Sequence, residues 1–219
     1  MAMYGTVLVT GGARRLGKSI VETLRARGWN VIAASRTAPE DAFAVDLAEL
    51  GAPSRLFTAA KAVAPDLCAI VNNAAVFSQK RELPPCELSR LRTLNVDAPR
   101  VLTSLLAASG GGAVVNIIDC RALGPIRAGD SPYLKSKRDL LAATLEDARC
   151  HAGRVRVNAV APGPVLPPES CHERAGATPL GRRPTPQEVA DAVAYLLSAE
   201  STTGAVIPVD GGQSLAIET

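Results

Sequence analysis

Short apolar runs of strand length alternate with helix-length segments along the whole chain, and this alternation constrains the fold more than any other feature. Thr6–Thr10 (TVLVT) reads as a first strand and Leu16–Arg27 as a helix, with Gly28 where a helix C-cap is wanted. Val31–Ala34 and Phe43–Val45 are further short strands, and Ser54–Ala64 is a helix. Leu67–Val71 is apolar throughout, which suits a strand covered on both faces. A long helix is expected over Leu88–Ala108, broken by Gly110-Gly111-Gly112, and Ala113–Ile118 is the next strand. Ser131 and Pro132 make an N-cap and first-position pair for another helix. Val155–Val160 is a strand, Pro186–Ser198 a helix with Glu188 in its first turn, and Ala205–Val209 a closing strand. Repeated strand–helix units predict the α/β class: one doubly wound parallel sheet with helices on both faces.

The chain has 219 residues, the size of a single domain spanning 1–219, with enough chain for a full core. A net charge of +3 without a Lys/Arg stripe argues against a nucleic-acid partner. Five scattered cysteines, with no CxxC pair, indicate neither a disulfide framework nor a zinc site, and a reducing cytosol fits them best. The opening residues run straight into a strand pattern and no apolar stretch reaches about 18 residues, so neither a signal peptide nor a membrane helix is expected. The one irregular stretch is 163–186, rich in Pro and Gly, which follows a strand where doubly wound folds build ligand sites. It reads as a short substrate lid or a plain surface loop. Its Cys171-His172-Glu173 cluster does not make a metal site, and both histidines, His151 and His172, are taken as solvated.

The first strand runs into Thr10-Gly11-Gly12-Ala13-Arg14-Arg15-Leu16-Gly17-Lys18. A glycine-rich turn between a first strand and a first helix lets backbone N–H groups approach a pyrophosphate, and the helix N-terminus adds partial positive charge. Glycine pairs also occur in turns that bind nothing, so position in the first strand–helix unit carries the reading. Strand two ends in Ser35-Arg36 rather than an acidic residue. An acid there would bond a ribose 2′-hydroxyl; an arginine suits a 2′-phosphate, with Arg15 near enough to join it. NADPH is the cofactor expected. Tyr133 and Lys137 lie four apart and share a face if helical. A neighbouring ammonium favours phenolate and should lower the tyrosine pKa, making a proton donor beside a hydride donor.

Taken in order, these motifs resemble the short-chain dehydrogenase/reductase family over nearly the whole chain. Thr10–Gly17 resembles its cofactor loop, Asp46-Leu47 its adenine-contacting pair, and Asn72-Asn73-Ala74-Ala75 the motif ending strand four. Asn95 falls where the family has a helix asparagine, Val115-Asn116-Ile117 leads into the active-site strand end, and Tyr133/Lys137 match the catalytic pair. Arg156–Gly163 resembles the segment beside the nicotinamide, and Val209-Asp210-Gly211-Gly212 the C-terminal strand. The resemblance implies a Rossmann-type sheet of about seven strands in the order 3-2-1-4-5-6-7. It implies cofactor contacts at Gly11, Arg14, Arg15, Leu16, Gly17, Ser35, Arg36, Asp46, Leu47, Asn73, Ala74, Ala75, Tyr133, Lys137, Pro162 and Gly163. Tyr133 would donate a proton, Lys137 would hold the nicotinamide ribose and tune Tyr133, and Asn95 would anchor a relay water.

Three departures resemble the pteridine reductase and dihydromonapterin reductase branch. Arg15 replaces the middle loop glycine, Asp119 stands three residues after the strand asparagine where a serine is usual, and Phe77 follows Val76 where a ring would stack the substrate. Counting back from Tyr133 instead puts Cys120 in the serine slot. The strand side is the stiffer reference, so Asp119 joins Asn95, Tyr133 and Lys137 as catalytic residues, and Phe77, Asp119 and Tyr133 are the substrate contacts. The expected activity is NADPH-dependent reduction of a pteridine C=N bond. The alternatives are a ketone reductase, acting on a 3-oxoacyl thioester or sugar, and a non-catalytic NADPH-binding sensor or scaffold. The partners expected are a small-molecule substrate and further copies of the chain, as a dimer or tetramer, with no nucleic acid and no membrane; the expected location is cytoplasmic.

Overall fold

The computed structural model describes residues 4–37, 42–165 and 178–218, which build the α/β sheet in the order 3-2-1-4-5-6-7. The strands are β1 (Thr6–Thr10), β2 (Asn30–Ser35), β3 (Ala42–Ala44), β4 (Leu67–Asn72), β5 (Gly112–Ile117), β6 (Val155–Pro162) and β7 (Val206–Val209), all paired in parallel. The helices are α1 (Arg15–Ala26), α2 (Ala52–Val63), α3 (Pro85–Arg92), α4 (Ala98–Ala108), α5 (Pro132–Cys150) and α6 (Pro186–Ser198). The third strand lies one residue earlier than Phe43–Val45, and β6 runs two residues past Val160 because Ala161 and Pro162 pair with Pro208 and Val209. Among the described residues, no helix is long and apolar enough to cross a membrane.

Alternation along the strands divides the core into two layers. Val7, Val9, Val71 and Val115 face one side, where Ile20 and Leu24 of α1 and Val193 and Leu197 of α6 cover them. Leu8, Ile70 and Val114 face the other, against Leu56 and Phe57 of α2 and Leu102 and Leu106 of α4. Both faces being buried explains why the strands read as continuous apolar runs. The register aligns the strand C-termini: Thr10 pairs with Ala34 and Asn72, Asn72 with Asn116, and Asn116 with Ala159. That row is one edge of the sheet, and the loops leaving it build the site.

Local signals set the helix ends. Ser131 Oγ accepts from the Leu134 N–H at the start of α5, and Thr185 and Glu188 close a reciprocal capping box at the start of α6. Gly28, at φ +89°, follows α1 as its composition suggests. At the other end of α6, Arg156 donates to the carbonyls of Leu196 (2.9 Å) and Leu197 (2.6 Å), satisfying groups the helix itself leaves open.

The single helix expected over Leu88–Ala108 is not continuous. α3 and α4 are joined by a π turn at Thr93–Asp97, in which the Ala98 N–H reaches back to the Thr93 carbonyl. Pro99 gives the cause. It has no N–H to donate to the Asn95 carbonyl, the bond an α-helix would make there.

Candidate active site

A crevice of about 930 Å³ opens at the C-terminal edge of β1, β2 and β4. Gly11, Arg14, Arg15, Leu16, Gly17, Ser35, Arg36, Asp46, Leu47, Asn73, Ala74, Ala75 and Phe77 all line it. The turn after β1 is held to β4 by Thr10 and Asn73, residues of the two motifs, acting on the backbone. Thr10 Oγ1 accepts from the N–H groups of Asn73 and Ala74 (both 3.1 Å), and Asn73 Nδ2 donates to the carbonyls of Thr10 and Gly11 (both 3.1 Å). The packing leaves no room for a Cβ at the loop glycines. A Cβ at Gly17 would stand 2.0 Å from the Gly11 carbonyl oxygen, and one at Gly11 would meet Asn73 Nδ2 at 2.9 Å. Gly11 also lies at φ +66°. Arg15 adopts φ +51° although it is not glycine, a strained backbone of the kind that gathers at functional sites.

The N-terminus of α1 has no side-chain cap and no acid in its first turn, so its N–H groups and positive end are left to a ligand. Arg14, Arg15 and Arg36 surround it. Asp46 is the carboxylate on that wall, and Arg90 of α3 engages its Oδ2 at 2.5 Å while the Ala48 N–H donates to Oδ1 at 3.0 Å. Burial pushes the Asp46 carboxyl up, but those hydrogen bonds and the charges of Arg90 and Arg36 more than reverse it, leaving it below its ordinary value. This basic cleft with a glycine floor and an open helix end fits a dinucleotide carrying a further phosphate. Ser35 lines the cleft but its hydroxyl donates to the Thr37 carbonyl (2.9 Å). Arg90 was not legible as a site residue, since α3 comes to the crevice only through the sheet order.

A second cavity, about 420 Å³, adjoins the first, with Phe77 on the wall of both. Tyr133 lines it and is nearly buried, at 9% exposure. The Asp119 carboxylate lies near enough to the Tyr133 hydroxyl for its negative charge to act on it. Tyr133 is not acidified as the sequence suggests. Burial and the negative charge of Asp119 push its pKa well above the ordinary phenol, with Arg121 the cation that opposes them. Lys137 is turned elsewhere: its Nζ donates to the Ile117 carbonyl at the end of β5 (2.7 Å) and lies 5.8 Å from the Tyr133 ring centroid. Burial lowers the Lys137 pKa to about 8, against the attraction of Asp119.

Asp119 and Cys120 part company at the end of β5. Asp119 caps the short 3-10 turn Cys120–Leu123, is held by Arg121 and acts by its charge on Tyr133, whereas Cys120 is buried, donates to Gln213 Oε1 (3.4 Å) and has its thiol pushed up to about 12 by burial and by Asp119. Asn95 is fully buried. Its two N–H groups go to the Val76 carbonyl and Ser136 Oγ (both 3.0 Å), and its Oδ1 accepts from the Val76 N–H (2.8 Å). The Asn95 side chain thus holds the loop before Phe77 onto α5 and keeps no N–H for a relay water. Pro162 and Gly163 line neither cavity; they pack on the last strand, where the Gly163 N–H donates to the Val209 carbonyl (2.9 Å) and a Cβ at Gly163 would meet Asp210 Cα at 2.8 Å. Of the expected lid, 166–177, with Cys171-His172-Glu173, lies outside the described residues. His151 stands at the C-cap of α5, half-buried rather than fully solvated. No group of three metal-ligating side chains occurs among the described residues.

A phenol, a carboxylate and a buried ammonium thus converge beside a basic cleft, an arrangement that can pass a proton to a bound substrate. The comparisons agree with this geometry. A family model described as enoyl-(acyl carrier protein) reductase matches residues 11–214. Among solved structures, that of FolM alternative dihydrofolate reductase 1 from Brucella canis, complexed with NADP, is 34% identical and superposes with a TM-score of 0.85, covering 100% of this chain and 98% of that one. The granaticin polyketide synthase putative ketoacyl reductase 2 of Streptomyces violaceoruber is 32% identical over 95% of each chain. The L-xylulose reductase of Bos taurus is 34% identical over 94% of each. With the family model covering nearly the whole chain and relatives above 30% identity spanning it, the chain belongs to the short-chain dehydrogenase/reductase family of NAD(P)-dependent oxidoreductases.

Proposed function

We propose that the protein is an NADPH-dependent reductase that acts on a pteridine, with Tyr133 as proton donor. The observation that carries this reading is the half-exposed Phe77 ring set edge-on to the buried Tyr133 at 4.8 Å, with the Asp119 carboxylate close enough to act on the phenol. A ring nitrogen with neighbouring N–H groups matches a paired phenol and carboxylate, one donating and one accepting. The likeness to FolM alternative dihydrofolate reductase 1 of Brucella canis supports the same reading. Reduced nicotinamide, when bound, supplies a hydride to the substrate carbon. Gly11, Arg14, Arg15, Leu16, Gly17, Asn73, Ala74 and Ala75 would hold the dinucleotide and Arg36 its 2′-phosphate; the family resemblance assigns the nicotinamide end to Pro162 and Gly163. Burial keeps Tyr133 protonated until the substrate nitrogen takes its proton, and Lys137 sits behind it as the buried cation.

The ketone reading keeps one specific support, the relatives named for ketoacyl and xylulose reduction. The two separate in one assay: NADPH oxidation with dihydrobiopterin or dihydromonapterin, dihydrofolate, and an acetoacetyl thioester. Turnover of the pterins is expected. Turnover of the thioester alone overturns the pteridine reading. We further propose that the chain works as one domain, in a reducing cytosol that suits the free thiols of Cys68, Cys86, Cys120 and Cys150, and as a homo-oligomer. Val101 on α4 and Leu145 on α5, both exposed, support the last point.

A further inference from the structure

The loop between β5 and α5 carries a guanidinium that neither the motif reading nor the mechanism above uses. Arg121 sits in the 3-10 turn immediately after Asp119 and doubles back on it. Its Nε donates to Oδ1 at 3.0 Å, its Nη2 to Oδ2 at 2.8 Å, and its own backbone N–H to Oδ1 at 3.0 Å. Both carboxylate oxygens are thereby fixed by one planar fork, a geometry a lysine cannot reproduce. Asp119 is largely covered while Arg121 is half exposed, and Arg121 stands on the wall of the cavity that Tyr133 also lines.

The turn itself is anchored to the helix that carries Tyr133. Arg138 of α5 donates to the carbonyls of Pro125 (2.8 Å) and Arg121 (3.4 Å) and pairs with Asp130. Lys137 is the cation behind the ring, 5.8 Å from its centroid with its ammonium donating to the Ile117 carbonyl, whereas Arg121 comes to the site from the opposite loop together with Asp119. We infer that Arg121 is a positioning residue: it holds Asp119 as a fixed carboxylate near the Tyr133 hydroxyl and supplies the positive charge that offsets the phenolate left when Tyr133 gives up its proton. The charge of Arg121 opposes the rise in the Tyr133 pKa, in keeping with that role.

The inference rests on Tyr133 as proton donor but not on the substrate being a pteridine, because a carbonyl oxygen and a ring nitrogen both take that proton. Arg121→Met and Arg121→Lys are assayed with NADPH and whichever of 7,8-dihydrobiopterin or acetoacetyl thioester the parent protein reduces. Removing two charge-assisted hydrogen bonds should lower kcat about 10- to 100-fold in the Met variant. NADPH affinity, followed by its fluorescence, should stay within about twofold, and Lys should recover only part of the loss. Arg121→Ala should regain turnover on adding guanidinium at concentrations that leave the parent protein folded. An unchanged kcat, or a lost kcat that neither Lys nor guanidinium improves, would overturn the inference. Failure of the pteridine reading instead shows as turnover of the thioester alone by the parent protein.

Discussion

The Phe77 ring meets the Tyr133 ring edge-on, with centroids 4.8 Å apart and planes at 75°. Phe77 is 55% exposed, so this contact holds it at the mouth between the two cavities rather than in the core. An edge-to-face pair is worth about 0.5–1.5 kcal/mol, enough to orient a ring but not to stabilise the fold. Phe77→Ala should therefore leave the urea midpoint nearly unchanged. It should raise KM for a planar pterin about tenfold while barely affecting an acetoacetyl thioester. Equal losses for both substrates would remove Phe77 from pterin recognition.

Tyr133 gives up its proton in the reaction as proposed, and its raised pKa keeps that proton in place across the neutral range. Tyr133→Phe should lose about 10²–10⁴ in kcat while NADPH binding, measured by fluorescence titration, persists. Turnover at the parent rate would mean that another group delivers the proton.

Lys137 links the site to stability. Its folded-state pKa of about 8 lies below its ordinary 10.5 because it is buried. Between those values the unfolded chain binds more protons than the folded one, so stability rises with pH through that window. Below pH 8 the burial penalty is complete, on the order of 3 kcal/mol. Urea unfolding of the parent protein and of Lys137→Met at pH 8 and pH 10 isolates this contribution. The rise should be smaller in the variant; an identical rise in both would place its origin elsewhere.

Arg36 lines the crevice at the end of β2, where an acid would favour the cofactor without a 2′-phosphate. Arg36→Ala should weaken NADPH about 10- to 100-fold and NADH far less, as titration of each would report. Equal weakening of both would assign Arg36 to general charge rather than to the phosphate.

Gly17 shows how little slack the dinucleotide loop has. A Cβ there would lie 2.0 Å from the Gly11 carbonyl oxygen, so α1 would have to move off the turn. Gly17→Ala should cost at least about 1–3 kcal/mol in unfolding and abolish NADPH binding together. A variant that binds NADPH normally would show that the loop relaxes.

Much of this architecture was legible along the chain. Period and length alone separate the strands from the helices, because strands buried on both faces must be apolar throughout and helices only on one stripe. The turn Thr10–Gly17 and the i,i+4 pair Tyr133/Lys137 are local too, since a turn and one helical face are decided within a few residues. The break in the helix carrying Asn95 escapes that reading, since the expected helix runs straight through Pro99, whose missing N–H marks it.

What the chain order could not decide was which way groups point once distant segments meet. Asp119 and Cys120 are adjacent, and only the direction of the 3-10 turn leaving β5 sends one to Tyr133 and the other to Gln213. Arg90 and Asp46 are 44 residues apart and meet because the sheet order brings α3 over the crevice. The Tyr133 acidity followed the same rule: neighbours in sequence argued for a lowered pKa, whereas burial and Asp119 raise it. Local spacing specifies backbone periodicity, but desolvation and charge are sums over everything packed nearby, and those sums exist only in the folded state.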